Sequence, residues 1–177
     1  YLEIPIEAQD CSHLKYGESE ALPLTISFWT RSTTTGDYQF MIQQLDTARQ
    51  YSTTYNIASA DTWEKKTITI AGDTSGVIND DSGQGLTLTF CLTGGSNYQG
   101  GTEDAWAANA NNMYSAGSTL NLFSSTSNDW YIAGLQIEVG SVATDFEFEP
   151  YSVTLGRCHR YLEIWGGNAG DQTYIAA

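Results

Sequence analysis

The sequence predicts an all-β fold, an antiparallel sandwich or barrel. Three observations carry the prediction. Apolar and polar residues alternate with period two in at least six runs rich in Ile, Thr, Leu and aromatics. Clusters of Gly, Asn, Asp, Ser and Thr separate the runs: "TTTGD", "AGDTSG", "NDDSGQG", "GGSNYQGG" and "STSND". No helix-period segment intervenes between them, so consecutive strands are joined by turns rather than crossover helices.

The first run, "ALPLTISFWTRS", sets Leu22, Leu24, Ile26 and Phe28 on one face and Thr25, Ser27 and Trp29 on the other. "DYQFMIQQL" over residues 37–45 is a second strand. "WEKKTITIAG" sets Ile68 and Ile70 opposite Lys65, Thr67 and Thr69. "GLTLTFCLTGG" sets Leu86, Leu88, Phe90 and Leu92 opposite Thr87, Thr89 and Cys91. "TLNLFS" is a further strand candidate. In "DWYIAGLQIEVG" the more continuously apolar face takes Tyr131, Ala133, Leu135, Ile137 and Val139. One apolar and one Thr-rich face per strand means sheets with one wet side. "DFEFE" reads as a last strand, with Asp145, Glu147 and Glu149 outward and Phe146 and Phe148 as buried anchors. Pro150 ends it. Leu155, Cys158 and Leu162 then fall on one side of a short amphipathic helix, where Arg157 and Arg160 face the acidic strand.

The chain has 177 residues, enough for one domain with a core, and shows no internal repeat. Acidic residues outnumber basic ones by 21 to 7, giving a net charge of −14. That balance argues against nucleic acid and against anionic membrane surfaces, both of which need a basic patch. No stretch has the ~20 apolar residues of a membrane span. Cys11, Cys91 and Cys158 are odd in number and widely spaced, neither a disulfide framework nor a zinc set. They fit synthesis in a reducing cytoplasm. Tyr1 in place of an initiator Met suggests a fragment or processed product.

The longest irregular stretch, residues 94–118, carries the mixture that sugars favour. Tyr98, Trp106 and Tyr114 offer ring faces, and Asn109 and Asn111 are among the amides interleaved with them. The competing reading is a Trp106 that plugs the end of the sandwich. Trp29 stands on the polar side of its strand and is a second platform candidate; Trp63 and Trp130 fit packing roles. Oxygen-rich turns place Asp73, Asn79, Asp80 and Asp81 as candidate calcium ligands; an ordinary hairpin turn explains the same residues. Catalysis has no motif behind it: only His13 and His159 could act as histidine bases, and no nucleophile elbow, zinc helix or phosphate loop is present. A carboxylate pair of the glycosidase kind is available by composition alone.

Three segments, "LKYGESEALPLTISFWTRSTTTGDY", "SADTWEKKTITIAGDTSGVINDDSGQGLTLTF" and "YIAGLQIEVGSVATDFEFEPYSVTLGRCHRY", resemble a module of phage tail fibres and related virion proteins, especially of marine phages. The closing motif is the most specific part: Glu138 to Ser141, Ala143, Thr144, Phe146, Glu147, Cys158, Arg160 and Tyr161. Asp145 and Glu149 depart from the proline and arginine usual there. The resemblance implies a jelly-roll β-sandwich over residues 1–162, similar to carbohydrate-binding modules, with 163–177 beginning a truncated C-terminal extension. It further implies a place on the virion, other virion proteins as partners, trimeric assembly, and contact with host-surface glycans rather than catalysis. A purely structural module and a glycan depolymerase are the alternatives.

Overall fold

The computed structural model describes residues 1–161, together with the backbone of 163–165 and 173–175. The chain divides into two compact units, Tyr1–Thr144 and Asp145–Ala177.

The first unit is a sandwich of two antiparallel sheets. One has five strands in the order β1 (Leu2–Glu7), β6 (Gln84–Cys91), β3 (Gly36–Gln44), β4 (Arg49–Ile57) and β7 (Trp106–Ala108). The other has three, with β2 (Leu24–Ser32) between β5 (Glu64–Ile70) and β8 (Trp130–Val139). The predicted alternation decides what lies between them. Ile26 and Phe28 of β2, Ile68 and Ile70 of β5, and Leu86, Leu88 and Phe90 of β6 are all buried in one core. Phe28 reaches across the layers edge-on to Phe90 and Tyr55, with ring centroids 5.2 and 5.1 Å apart. A four-residue helix, α1 (Ala8–Cys11), and the 3-10 turn Ser12–Leu14 close one end with Ala8, Cys11 and Leu14. Gly85 permits that closure, since a Cβ there would stand 2.6 Å from the Cα of Ala8.

Strand β8 departs from simple alternation. Ser27 pairs with Gln136 but Trp29 pairs with Ala133, so Gly134 and Leu135 together oppose Phe28. Gly134 has φ 57°, the left-handed conformation that opens a bulge of this kind. The extra residue exchanges the faces. Trp130 and Ile132 before it, and Leu135 and Ile137 after it, all pack on the core, while Tyr131 turns outward. The uninterrupted apolar face expected from Tyr131 to Val139 is therefore corrected.

Three further expectations change. Strands β1, β4 and the short β7, inside the stretch read as irregular, are additional; β1 carries Pro5, which an edge strand tolerates. "TLNLFS" is no strand, forming one bridge at Asn121 and a 3-10 turn over Leu122–Ser124. "DFEFE" forms no strand among the described residues, and Phe148 is 87% exposed rather than anchored, its ring edge-on to Phe146. Three like charges on one face give it no sheet edge to join cheaply.

The second unit contains the expected helix, α2 (Tyr151–Cys158), which begins after Pro150. Arg157 pairs with Glu149 at 2.8 Å. Beyond it, β9 (Glu163–Trp165) and β10 (Thr173–Ile175) form an antiparallel pair. Side chains from Leu162 onward, including those of the expected extension, lie outside the described residues. Among the described residues no helix is long and apolar enough to cross a membrane.

Candidate functional site

The two sheets treat their outer faces differently, and the difference locates the candidate site. On the five-stranded sheet, Gln39, Met41 and Gln43 of β3, Gln50 and Ser52 of β4, and Thr87 and Thr89 of β6 point away from the core, yet all are buried. Residues 94–118 cover those of β3 and β4. The Gly117 amide donates to Gln39 Oε1, Gln43 Nε2 donates to the Tyr114 hydroxyl, Gln50 Nε2 to the Ala110 carbonyl, and Ser52 Oγ to the Met113 carbonyl. The long loop is thus a hydrogen-bonded third layer, and the side of this sheet expected to be wet is dry.

This layer separates the residues read from sequence as one platform. Trp106 sits in β7 beside β4, half-buried against the core. Its ring meets Tyr16 and Tyr51 edge-on at 5.6 and 5.8 Å, and its Nε1 donates to the Ala71 carbonyl at 2.7 Å. It is a plug. Tyr98 and Tyr114 lie elsewhere, 6.3 Å apart edge to face. With Asn111, Tyr1, Cys91, Thr93 and Gly94 they line a cleft of about 380 Å³. Asn109 is not in the cleft lining; its Oδ1 faces Gln43 Nε2 at 3.4 Å.

The three-stranded sheet is only half covered. The turn after β8 folds back over one end: Thr25 Oγ1 donates to the Gly140 carbonyl, Gln136 Nε2 to Thr144 Oγ1, and Thr144 N and Oγ1 donate to the two oxygens of Glu138. These bonds hold the Glu138 carboxyl below its ordinary range. The other end is open. There Trp29 stands between Lys65 and Ala133 across the strands. Ala133 has only a methyl group, too small to cover the indole. One step along, Arg31 stands opposite Tyr131, and the Trp63 ring lies 6.4 Å from the Tyr131 ring. Trp29, Trp63 and Tyr131 are 42, 44 and 46% exposed. Sequence reasoning found Trp29 from its place on the polar face. It assigned Trp63 to packing, and missed Tyr131 because the bulge at Gly134 leaves no mark in the alternation.

The turns read as calcium ligands are occupied by protein groups. Both oxygens of the buried Asp73 accept from Arg49, at 2.5 and 3.0 Å, and Oδ1 also accepts from the Ser75 amide. Asn79 is held by Asp46, and Asp81 Oδ1 caps the Gly83 amide. Asp80 stands in the same turn. Among the described residues no group of three or more His, Cys, Asp or Glu side chains is arranged for a metal. Burial pushes the Cys11 thiol up to about 11 and raises that of Cys91, which suits packing residues rather than nucleophiles.

No protein-family model, curated protein or solved structure matches the chain.

Proposed function

We propose that this chain is a non-catalytic binding module of a virion appendage, of the tail-fibre kind, that contacts host-surface glycans through the open half of the β5-β2-β8 face. The observation that carries the reading is the set of half-exposed rings, Trp29, Trp63 and Tyr131, on one sheet face among hydrogen-bonding side chains. Sugar rings stack their C–H faces on aromatic rings, and their hydroxyls take polar partners at the rim. A rigid sheet presents such rings with little ordering cost on binding. In this reading the sandwich is a jelly roll. The placing of β6 between β1 and β3, and of β2 between β5 and β8, supports long-range wiring of that type.

Glycan-array and host-cell binding with Trp29→Ala and Tyr131→Ala test the proposal. Each substitution is expected to weaken binding by roughly 1–3 kcal/mol with small loss of stability. Tyr98→Ala is the comparison. Loss of binding there, with Trp29→Ala intact, moves the site to the tyrosine cleft.

A second reading is a structural module that trimerises or connects parts of the particle. The exposed apolar side chains of the second unit favour it: Phe148 at 87% and Tyr151 at 78%, with Val153 and Leu155 nearby in sequence. A stable trimer that binds no glycan or host surface selects that reading. Product release from host polysaccharide selects a depolymerase.

A further inference from the structure

We infer that the open half of the β5-β2-β8 face selects acidic sugars, with Arg31 and Lys65 taking the carboxylate of a residue that stacks on Trp29. The inference rests on the glycan-binding reading above and adds the chemical class of the ligand. It begins from the hydrogen-bonding state of the four charges on this face.

The two cations have donors to spare. A guanidinium carries five N–H donors. Among the described residues Arg31 uses one, from Nη2 to Asp61 Oδ1 at 2.8 Å. Its Nε is buried without a hydrogen-bond partner. Its Cζ lies 5.6 Å from the centre of the Tyr131 ring, so the guanidinium is fixed beside one of the three aromatics. Lys65 is exposed directly across from Trp29, and no carboxylate of the described residues lies within 4.0 Å of its ammonium.

The two carboxylates are committed. Both oxygens of Glu138 accept from Thr144, and Asp61 holds Arg31. Asp129 also lies near enough to act on Arg31, so a cationic sugar meets two engaged carboxylates and this third one. An acidic sugar meets unused donors on either side of an indole. The remaining guanidinium donors of Arg31 give a carboxylate charge-assisted hydrogen bonds that a neutral hydroxyl does not match in strength.

The net charge of −14 does not reverse this preference. At physiological ionic strength charges farther than ~8 Å are largely screened, so contact energies follow the nearest groups. Those groups are unusual for this chain. Arg31 and Lys65 are two of its seven basic residues, and a third, Lys66, is bound by Glu64 at 2.6 Å.

The test uses probes that differ only in charge: polygalacturonate and alginate, each against its neutral ester, with dextran and a neutral galactan beside them. Affinity electrophoresis and biolayer interferometry of the full chain read the binding. The acid forms are expected to bind about tenfold more tightly than their esters, as charge-assisted hydrogen bonds imply. Raising the salt should narrow the gap. Lys65→Gln and Arg31→Gln should bring the acids down to the level of the esters. Trp29→Ala should weaken both. Lys65→Gln removes no ion pair within 4.0 Å among the described residues, so its effect on binding is separable from stability. Binding of neutral polymers or esters at equal strength overturns the preference and leaves the glycan reading standing. Retention by no glycan overturns the reading and the inference with it. Concentration-dependent pairing of the chain through this face, abolished by Trp29→Ala, assigns the surface to a second copy and overturns both.

Discussion

Trp106→Ala separates a plug from a platform in a single variant. The indole makes two edge-to-face contacts, with Tyr16 and Tyr51, and one hydrogen bond to the Ala71 carbonyl. Truncating a fully buried tryptophan to alanine costs ~3–5 kcal/mol. Trp106 is only half-buried, which lowers that figure, but the lost hydrogen bond adds back ~1 kcal/mol. The expected loss is about 3 kcal/mol. At ~2–4 °C per kcal/mol for a unit of this size, the melting temperature falls by about 6–12 °C. Trp106→Phe keeps most of the ring and loses the donor, so it should cost only ~1 kcal/mol. Urea titration followed by tryptophan fluorescence and far-UV circular dichroism measures both. Glycan affinity of the folded variants should be unchanged. A melt within 2 °C of the parent (roughly 0.5–1 kcal/mol) with glycan binding lost would refute the plug.

Other perturbations test the remaining structure. Asp73→Asn leaves Arg49 partly buried without its carboxylate, and should cost about 2–3 kcal/mol in urea unfolding, below the range for a fully buried pair because Arg49 is 22% exposed. A calcium chelator should leave the melting temperature of the parent unchanged, because Arg49 already holds the Asp73 oxygens. Gly134→Ala places a side chain at φ 57° in the bulge and should cost about 1–2 kcal/mol. Burial, then Asp104 and Asp37, raise the carboxyl of Glu103 above its ordinary value. The folded state thus holds that proton more tightly than the unfolded chain does. Its contribution is full below the unfolded value, near pH ~4.3, and fades as pH climbs through the raised folded value. Glu103→Gln should flatten that part of the stability profile and raise the melting temperature slightly at pH 7.

The core faces of β2, β5 and β6 were legible because every second residue is a large apolar one, and the pattern states which; that most of the opposite residues of β2 and β6 are buried as well was not. Strand β4 carries the same alternation, Tyr51, Thr53, Tyr55 and Ile57, but Thr and Tyr are too ambiguous in polarity to announce it. A bulge is invisible to alternation because it changes the phase rather than the composition, and so Tyr131 was placed on the wrong side. The covering layer was illegible for a different reason. Gln39, Gln43 and Ser52 look like solvent-facing residues, and they are buried only because a segment some sixty to eighty residues away in sequence supplies their partners. Of the candidate site, Trp29 was readable as an aromatic out of place. The aromatics of the long loop looked functional for the same reason, and tertiary packing gave Trp106 another task.

The way the chain distributes its covering layer argues for a binding face. Folding free energy alone favours covering apolar surface and leaving polar surface to water. The first unit does the opposite. Its long loop covers a polar face and hydrogen-bonds Gln39, Gln43, Gln50 and Ser52 one by one, while Trp29, Trp63 and Tyr131 stay 42–46% exposed on the other sheet. An aromatic kept in water on a strand adds little to stability there, so replacing it should cost little. The triple variant Trp29→Thr, Trp63→Thr, Tyr131→Thr exchanges the rings for a good strand former. It forfeits the Trp63–Tyr131 contact and the Arg31–Tyr131 contact, together about 1–2 kcal/mol. The melting temperature should therefore fall by only about 2–8 °C, while glycan binding disappears. If the triple variant instead loses as much stability as Trp106→Ala, the rings are holding the fold, and the open face has no claim to a ligand.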